Sequence, residues 1–373
     1  MNTKMKYYIY FSLFLSIAFF SSCQKKNATN RNNIKPIKLE GITMNIQDPN
    51  FVIKRIIDQH NSIIYMESMM SDTLINAYLI KGDSLILSHR FLAKGQGPFE
   101  VNIFSSLYDK KQETLSFFEN SGTLTKGYIV DLKSKNSVTD KSLWKKLDFT
   151  DIEKMTIRYS FAYISDTSLL MIGGKHNSPE ILSILNLNDQ KTITPLLFWP
   201  NDKFDDNTFV KQTVYQDNAR LFKNYSSKEY LYVCGEGKYM EIFEISKEEI
   251  VNRKIIYEEY PQYEILEDNM NYKNSENSVN HGFYTYVTDN LVYTKPVEYT
   301  QDMMRSGKSY KGYDYYYNDV IEVFDWGGNM VKKYELDTPF HSFIVDEKNN
   351  IIYTETDDLE TGDSIIKKYM LNK

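Results

Sequence analysis

Cysteine is nearly absent from this sequence, with 2 in 373 residues, and glycine stops at 16. Two cysteines cannot build a disulfide framework, so stability has to come from a packed core. No run of about 20 apolar residues is present to cross a bilayer as a helix. Positive charge is not in excess, since Lys+Arg 44 stand against Asp+Glu 50 for a formal net charge of −6. Without a basic stripe, nucleic acid is not expected as a partner. The 3.6-residue period of amphipathic helices is also scarce; its best stretch, Asp140 to Met155, is short and broken at Thr150-Asp151.

What the chain does have is aromatic bulk: 30 Tyr and 21 Phe in a composition that is 42% hydrophobic. That excludes disorder and favours a β-rich body. The first residues carry an address. Lys4 and Lys6 precede an apolar run from Tyr7 to Phe20, and Ser21-Ser22-Cys23 follow at once, the layout of a secretory signal peptide. The segment resembles a bacterial lipobox, with Phe20 where Leu is commoner. The resemblance implies cleavage before Cys23 and acyl chains on that residue, with the lipid bilayer as a partner. Cys234 is then the remaining thiol, and a disulfide is excluded. Gln24 to Asn33 has Ala28 as its single apolar residue and reads as a solvated tether. The expected plan is a signal peptide over 1–22, a lipidated Cys and tether over 23–36, and one folded domain over 37–373. Gln24-Lys25-Lys26-Asn27 lacks the acidic run that marks surface export in Bacteroidetes lipoproteins. The expected location is therefore the outer membrane, with the body in the periplasm.

The body repeats a three-part strand pattern, cleanest at its end, where Phe343 to Asp346 lead through Lys348-Asn349-Asn350 to Ile351-Ile352-Tyr353 and then Ile365 to Leu371. Parallel copies are Tyr108-Asp109, Leu115 to Phe118 and Tyr128 to Leu132; Ile164 to Asp166, Leu169 to Ile172 and Ile181 to Leu187; Leu221-Phe222, Tyr230 to Val233 and Met240 to Ile245; and Tyr286-Val287, Leu291 to Tyr293 and Val320 to Asp325. The faintest runs from Ile63-Ile64-Tyr65 through Leu74 to Ile80 and Leu85 to Leu87. Six copies at this spacing predict an all-β, six-bladed β-propeller with four-stranded antiparallel blades. Two stacked sandwiches are the competing architecture, but no Pro/Ser-rich linker divides the chain.

Arg90-Phe91-Leu92-Ala93-Lys94-Gly95-Gln96-Gly97-Pro98-Phe99-Glu100 resembles the Gly-x-Gly-Pro-Gly-Glu-Phe loop of TolB-like six-bladed propeller lipoproteins of Bacteroidetes. Phe99 stands where Gly is usual and Val101 where Phe is usual. The resemblance implies a secreted propeller and assigns no molecular activity. Gly95 and Gly97 can adopt positive φ and Pro98 fixes the exit. Such a loop either forms an anion-binding nest assisted by Arg90 and Lys94, or is a structural corner in which Glu100 pairs with Arg90 or caps backbone donors.

No catalytic constellation is visible. The five His, at 60, 89, 176, 281 and 341, include no pair at metal-ligand spacing, and no Gly-x-Ser-x-Gly elbow occurs. Gly307-Lys308-Ser309 ends like a phosphate loop, but Asp302 takes the place of the first Gly and no helix is expected there. Cys234 lies in an apolar strand as a buried, inert thiol. The acidic groups Asp202-Asp205-Asp206 and Asp357-Asp358-Glu360-Asp363 lack the spacing of a calcium loop. Asp72-Thr73-Leu74, Asp83-Ser84-Leu85 and Asp363-Ser364-Ile365 match a short O-glycosylation pattern of Bacteroidetes exported proteins. The segment Tyr310 to Tyr317 is unusually aromatic, and Tyr313, Tyr315, Tyr316 and Tyr317 either contact a partner or pack on their own blade. The expectation is a membrane-anchored, non-enzymatic binding or scaffold module for an envelope protein or glycan, without metal or cofactor. The alternative is a propeller hydrolase or lyase with a metal at the channel mouth, using His281, Glu298 and the Asp groups.

Overall fold

Alternating and fully apolar segments pair into six sheets arranged around an axis. The computed structural model describes residues 34–68, 72–120, 124–134, 136–149, 155–175, 180–189, 192–196, 200, 202, 208–267, 272–274, 279–306 and 310–371. From axis to rim, blade 1 is Ile53–His60, Ile63–Ser68, Thr73–Lys81 and Ser84–Lys94, and blade 2 is Phe104–Asp109, Thr114–Asn120, Leu124–Asp131 and Lys145–Asp148. Blade 3 is Met155–Ser165, Ser168–Lys175, Leu182–Asn186 and Ile193–Leu196, and blade 4 is Arg220–Lys223, Glu229–Val233, Lys238–Ser246 and Glu249–Glu259. Blade 5 is Val279–Val287, Leu291–Thr300, Asn318–Asp325 and Met330–Phe340. Blade 6 has Ser342–Asp346, Ile351–Asp357 and Ser364–Met370, and takes its rim strand, Ile42–Thr43, from the other end of the chain. Each inner strand packs on the next, and that of blade 6 meets that of blade 1, so the ring is closed.

Closure rests on one short segment. Ile37–Leu39 pairs in parallel with the rim strand of blade 5, Ile42–Thr43 runs antiparallel to Ser364–Met370 of blade 6, and Asn45–Gln47 pairs in parallel with Ser84–Lys94 of blade 1. Three blades are thus stitched by one stretch, which also covers edges that would otherwise present free N–H and C=O groups. Polar anchors hold both ends of it, the first half-exposed and the second buried. Asp337 accepts hydrogen bonds from Gly41 N (3.3 Å), Tyr369 Oη (2.8 Å) and Lys367 Nζ (3.0 Å). A Cβ on Gly41 would sit 2.6 Å from the Tyr369 ring, so only glycine lets the segment pass. At the far end Asp48 accepts from Tyr78 Oη (2.7 Å) and from Arg90 Nη2 at 2.8 and 2.9 Å.

Between blades the core is aromatic. Phe91 of blade 1 meets Phe117 at 5.9 Å and Trp144 at 6.2 Å, and Phe118 of blade 2 lies 4.6 Å from Phe161 of blade 3. Tyr257 of blade 4 meets Phe324 of blade 5 edge to face at 5.8 Å. Large rings fill the wedge-shaped gaps that open towards the rim, which is where the Tyr and Phe excess goes. Over Asp140 to Met155, where the helical period was best though broken, no α-helix forms among the described residues. Asp140 caps a single 3₁₀ turn, Lys141–Leu143, and Lys145–Asp148 then becomes the rim strand of blade 2. Trp144 decides this: its ring is buried and its Nε1 donates to Ser137 O at 2.6 Å, which pins the chain against the blade. Helices occur instead at Thr208–Gln216 (α1), where Val210, Val214 and Tyr215 are buried, and at Gln301–Ser306 (α2).

Burial pushes the Asp48 carboxyl up, but the bonds from Tyr78, Asn50 N and Arg90 outweigh it and leave its pKa below the usual 3.8. The stability this adds is complete above 3.8 and disappears as pH falls through the lower folded value. Asp48→Ala, which leaves the Arg90 guanidinium and Tyr78 hydroxyl without their acceptor, is expected to lower unfolding free energy by about 2–3 kcal/mol at pH 7. The deficit relative to wild type should shrink in denaturant titrations below pH 3.

Candidate functional site

The inner strands of a propeller send every second side chain towards the axis. Here tyrosines bridge it. Tyr284 and Tyr286 of blade 5 reach blade 1, donating to Ile56 O (2.9 Å) and Asp58 Oδ1 (2.8 Å), and Tyr225 of blade 4 donates to Tyr108 O of blade 2 (2.8 Å). Two chambers lie along the axis: an inner one of about 170 Å³ and a mouth cleft of about 430 Å³. Arg55, Arg220 and Tyr284 line both and so mark the junction between them. Arg55 comes from blade 1 and Arg220 from blade 4, which face each other across a six-membered ring.

Polar side chains crowd the mouth. Glu67 is buried and held by Arg55 Nε (2.7 Å) and Lys54 Nζ (2.8 Å), whose charges overcome burial and keep its carboxyl below the usual range. Arg55 Nη2 also donates to Ser106 Oγ at 3.2 Å. His341 Nδ1 lies 3.2 Å from Glu355 Oε2, which also accepts from Ser342 Oγ at 2.9 Å. Lys295 is buried among three carbonyls, Tyr316 O (2.9 Å), Phe340 O (3.0 Å) and His341 O (2.7 Å). Burial pushes its ammonium down to about 7, against the pull of Glu355. It ties the tyrosine segment to the junction of blades 5 and 6.

The four tyrosines singled out in the sequence divide. Tyr315 and Tyr316 line the mouth cleft with Tyr284 and Tyr299. Tyr316 presents its edge to His341 at 5.1 Å, and Tyr315 lies 5.0 Å from Tyr299. Tyr317 is buried, donates to Asp357 Oδ2 at 2.6 Å and stacks on Tyr313 at 5.2 Å. One segment thus supplies both wall and buttress.

The Arg90 to Glu100 loop stands apart from the channel. Arg90 turns to Asp48 rather than to Glu100, making the closing segment part of the motif's job. Glu100 Oε2 accepts from Gly97 N at 2.8 Å, taking an N–H that an external anion would need. A Cβ on Gly95 would lie 2.2 Å from that carboxylate and one on Gly97 2.9 Å, so a side chain at either would displace Glu100 from Gly97 N. Of the two, Gly95 has positive φ (152°). Phe99, where glycine was expected, holds φ 60°. Its ring explains the exchange, lying 5.5 Å from Tyr128 and 5.9 Å from Trp144. Lys94, Gln96 and Pro98 are exposed.

The remaining sequence candidates are scattered. Cys23 and His176, Asp205, Asp206 and Gly307 to Ser309 lie outside the described residues. Asp302 lies on α2, a helix the sequence pattern had not suggested. Asp202 is buried against Lys211 Nζ (2.8 Å) and Tyr215 Oη (2.9 Å). Glu298 pairs with Lys238 at 2.8 Å, and Asp358 Oδ1 accepts from Glu360 N at 2.8 Å within its own turn. His281 lies opposite Glu298 in the strand register of blade 5. Burial pushes the Cys234 thiol up to about 12. Among the described residues no group of three His, Cys, Asp or Glu is placed to hold a metal ion.

Sequence reading passed over Arg55, Ser105, Arg220 and Lys295, all at the mouth. Their strands alternate like any solvated strand, and nothing local says that the polar face turns to an axis.

A closed ring of six four-stranded blades with a bridged axis defines a six-bladed β-propeller. The family model described as TolB-like 6-blade propeller-like matches residues 54–348, and the chain belongs to that family. No curated protein matches it. Among solved structures it is similar to a Bacteroides fragilis protein inferred to be exported (12% identity, 94% of this chain and 98% of that one, TM-score 0.52). It is also similar to a member of the DUF4221 family from Bacteroides vulgatus (9% identity, 90% and 97% covered, TM-score 0.51). At these identities the likeness concerns the fold.

The left-handed backbone at position 99 gives a direct test. Phe99→Ala and Phe99→Gly both remove the ring, but glycine occupies positive φ without the Cβ penalty. Phe99→Gly is expected to be more stable than Phe99→Ala by about 1 kcal/mol, read from urea midpoints at equal m.

Proposed function

We propose that the protein is an exported, lipid-anchored, non-enzymatic binding module that holds an envelope protein or glycan at the channel mouth. The observation that carries this is the cleft of about 430 Å³ walled by Tyr284, Tyr299, Tyr315 and Tyr316 and floored by arginines from opposed blades. Its volume falls in the range of ligand sites, and half-buried tyrosines give broad contact area at small ordering cost. Tyr313 and Tyr317 brace that wall from behind, so it is pre-organised. The leader and Cys23, together with the exported assignment of the Bacteroides fragilis relative, support the envelope location. No helix among the described residues is long and apolar enough to cross a membrane, so the anchor in this reading is the acyl chain.

Two experiments test the reading. Tyr315→Ser combined with Tyr316→Ser should weaken capture of the partner from crosslinked envelopes by more than about 2 kcal/mol, roughly 30-fold, with the thermal midpoint nearly unchanged. Tyr317→Ser should instead lower the midpoint, because it strands Asp357 and unstacks Tyr313. Capture that survives loss of both wall tyrosines would remove the mouth as the binding surface. For the anchor, Cys23→Ala is expected to move the protein from the membrane to the soluble fraction; retention after a high-salt wash, with the leader still removed, would refute lipid attachment.

A further inference from the structure

The overall charge of the chain is −6, yet the axis is positive. Among the described residues six Lys and Arg side chains, Lys54, Arg55, Lys110, Arg220, Lys223 and Lys295, line the two chambers against two acidic ones, Asp58 and Glu67. Both carboxylates already have partners: Glu67 takes Lys54 and Arg55, and Asp58 takes Tyr286 Oη and Gln59 N. Lys110 meets Val287 O at 3.5 Å and also acts on Asp58, and Lys223 meets Ile164 O at 3.4 Å. Asp109 and Asp166 act on Lys223 from outside the lining, and burial still pushes its ammonium below the ordinary lysine value. A low-dielectric channel with a surplus of one sign concentrates its field on the axis and attracts the opposite charge.

A second, independent observation points to the same place. Ser105 is 4% exposed and lines the mouth cleft, and its Oγ has no hydrogen-bond partner among the described residues. An unmade hydroxyl bond at such burial is costly unless something else makes it. Arg55 uses Nε on Glu67 and Nη2 on Ser106, which leaves part of its five-donor fork for another acceptor. Arg220, whose Nη1 donates to Ala219 O at 2.9 Å, approaches from the opposed blade.

We infer that the floor of the mouth cleft binds a small oxyanion, a carboxylate, phosphate or sulfate group, between Arg55 and Arg220 with the Ser105 hydroxyl as a further donor. Planar guanidinium groups suit such oxygens, and the walls above leave room for the body of a ligand carrying the anion. The inference rests on the reading of the mouth as a binding surface for its entrance, and names the chemistry that surface takes.

Equilibrium dialysis of the detergent-solubilised full chain against radiolabelled sulfate, at constant ionic strength in chloride, tests it. About one sulfate per chain is expected, saturating by about 10 mM and displaced by phosphate and acetate. Arg220→Gln should weaken binding at least about tenfold. Ser105→Ala forfeits no side-chain hydrogen bond among the described residues, so it is expected to fold even where Arg220→Gln does not, and it should weaken binding by about the same factor. Absence of saturable sulfate, or binding unchanged in Ser105→Ala, would overturn the inference. Tyr315→Ser with Tyr316→Ser should leave sulfate affinity within about twofold. Lost sulfate binding with intact partner capture therefore counts against the anion site alone, and the reverse against the wall alone.

Discussion

A ring is useful only if it closes, and here closure depends on a segment of the chain that belongs to no blade by sequence order. Ile37 to Gln47 lends one rim strand to blade 6 and an extra parallel strand to each of its neighbours. Its two carboxylate anchors, Asp337 and Asp48, are each met by a tyrosine hydroxyl and a cation. Parting the first and last blades would therefore mean stripping ladder bonds and leaving the buried Asp48 unpaired at once. Loss of one partner from such a cluster is far more damaging than the net value of the pair.

Once closed, the ring forces the blades into wedges, and the wedges want bulk. Rings from facing blades meet edge to face, as Tyr257 and Phe324 do, which fixes the angle between sheets as well as filling volume. The same residue type then serves a second purpose at the axis, where Tyr284, Tyr286 and Tyr225 exchange packing for long-range hydroxyl bonds between blades that are not neighbours. Those bonds make the axis a pair of chambers and bring Arg55 and Arg220 to their junction.

The signature loop is a case of a motif whose meaning lies elsewhere in the chain. Glu100 folds over Gly95 and Gly97 and satisfies Gly97 N, while Arg90 leaves the loop to hold Asp48. Arg90 thus connects a loop on blade 1 to the segment that closes the ring. Phe99 shows that the turn needs a left-handed residue more than it needs glycine, provided packing on Tyr128 and Trp144 offsets the strain.

The sequence by itself determined the strands buried on both faces, because an uninterrupted apolar run such as Tyr230 to Val233 has few other homes. From their number and spacing it determined the propeller, and from the Arg90 to Glu100 loop the family. Rim strands such as Lys145–Asp148 and Ile42–Thr43 were not legible, since nearly all their side chains meet water and their pairing is chosen by the edge they reach. The broken helical period near Asp140 yielded to the rim for the same reason, once Trp144 had a core to enter. The tyrosine segment was visible as composition, but only tertiary structure could send Tyr315 and Tyr316 to the cleft and Tyr317 into the core. Least legible was the charge. Arg55, Arg220 and Lys223 are separate cations in an acidic chain, and they become one positive field only because the ring turns the polar faces of its inner strands inward.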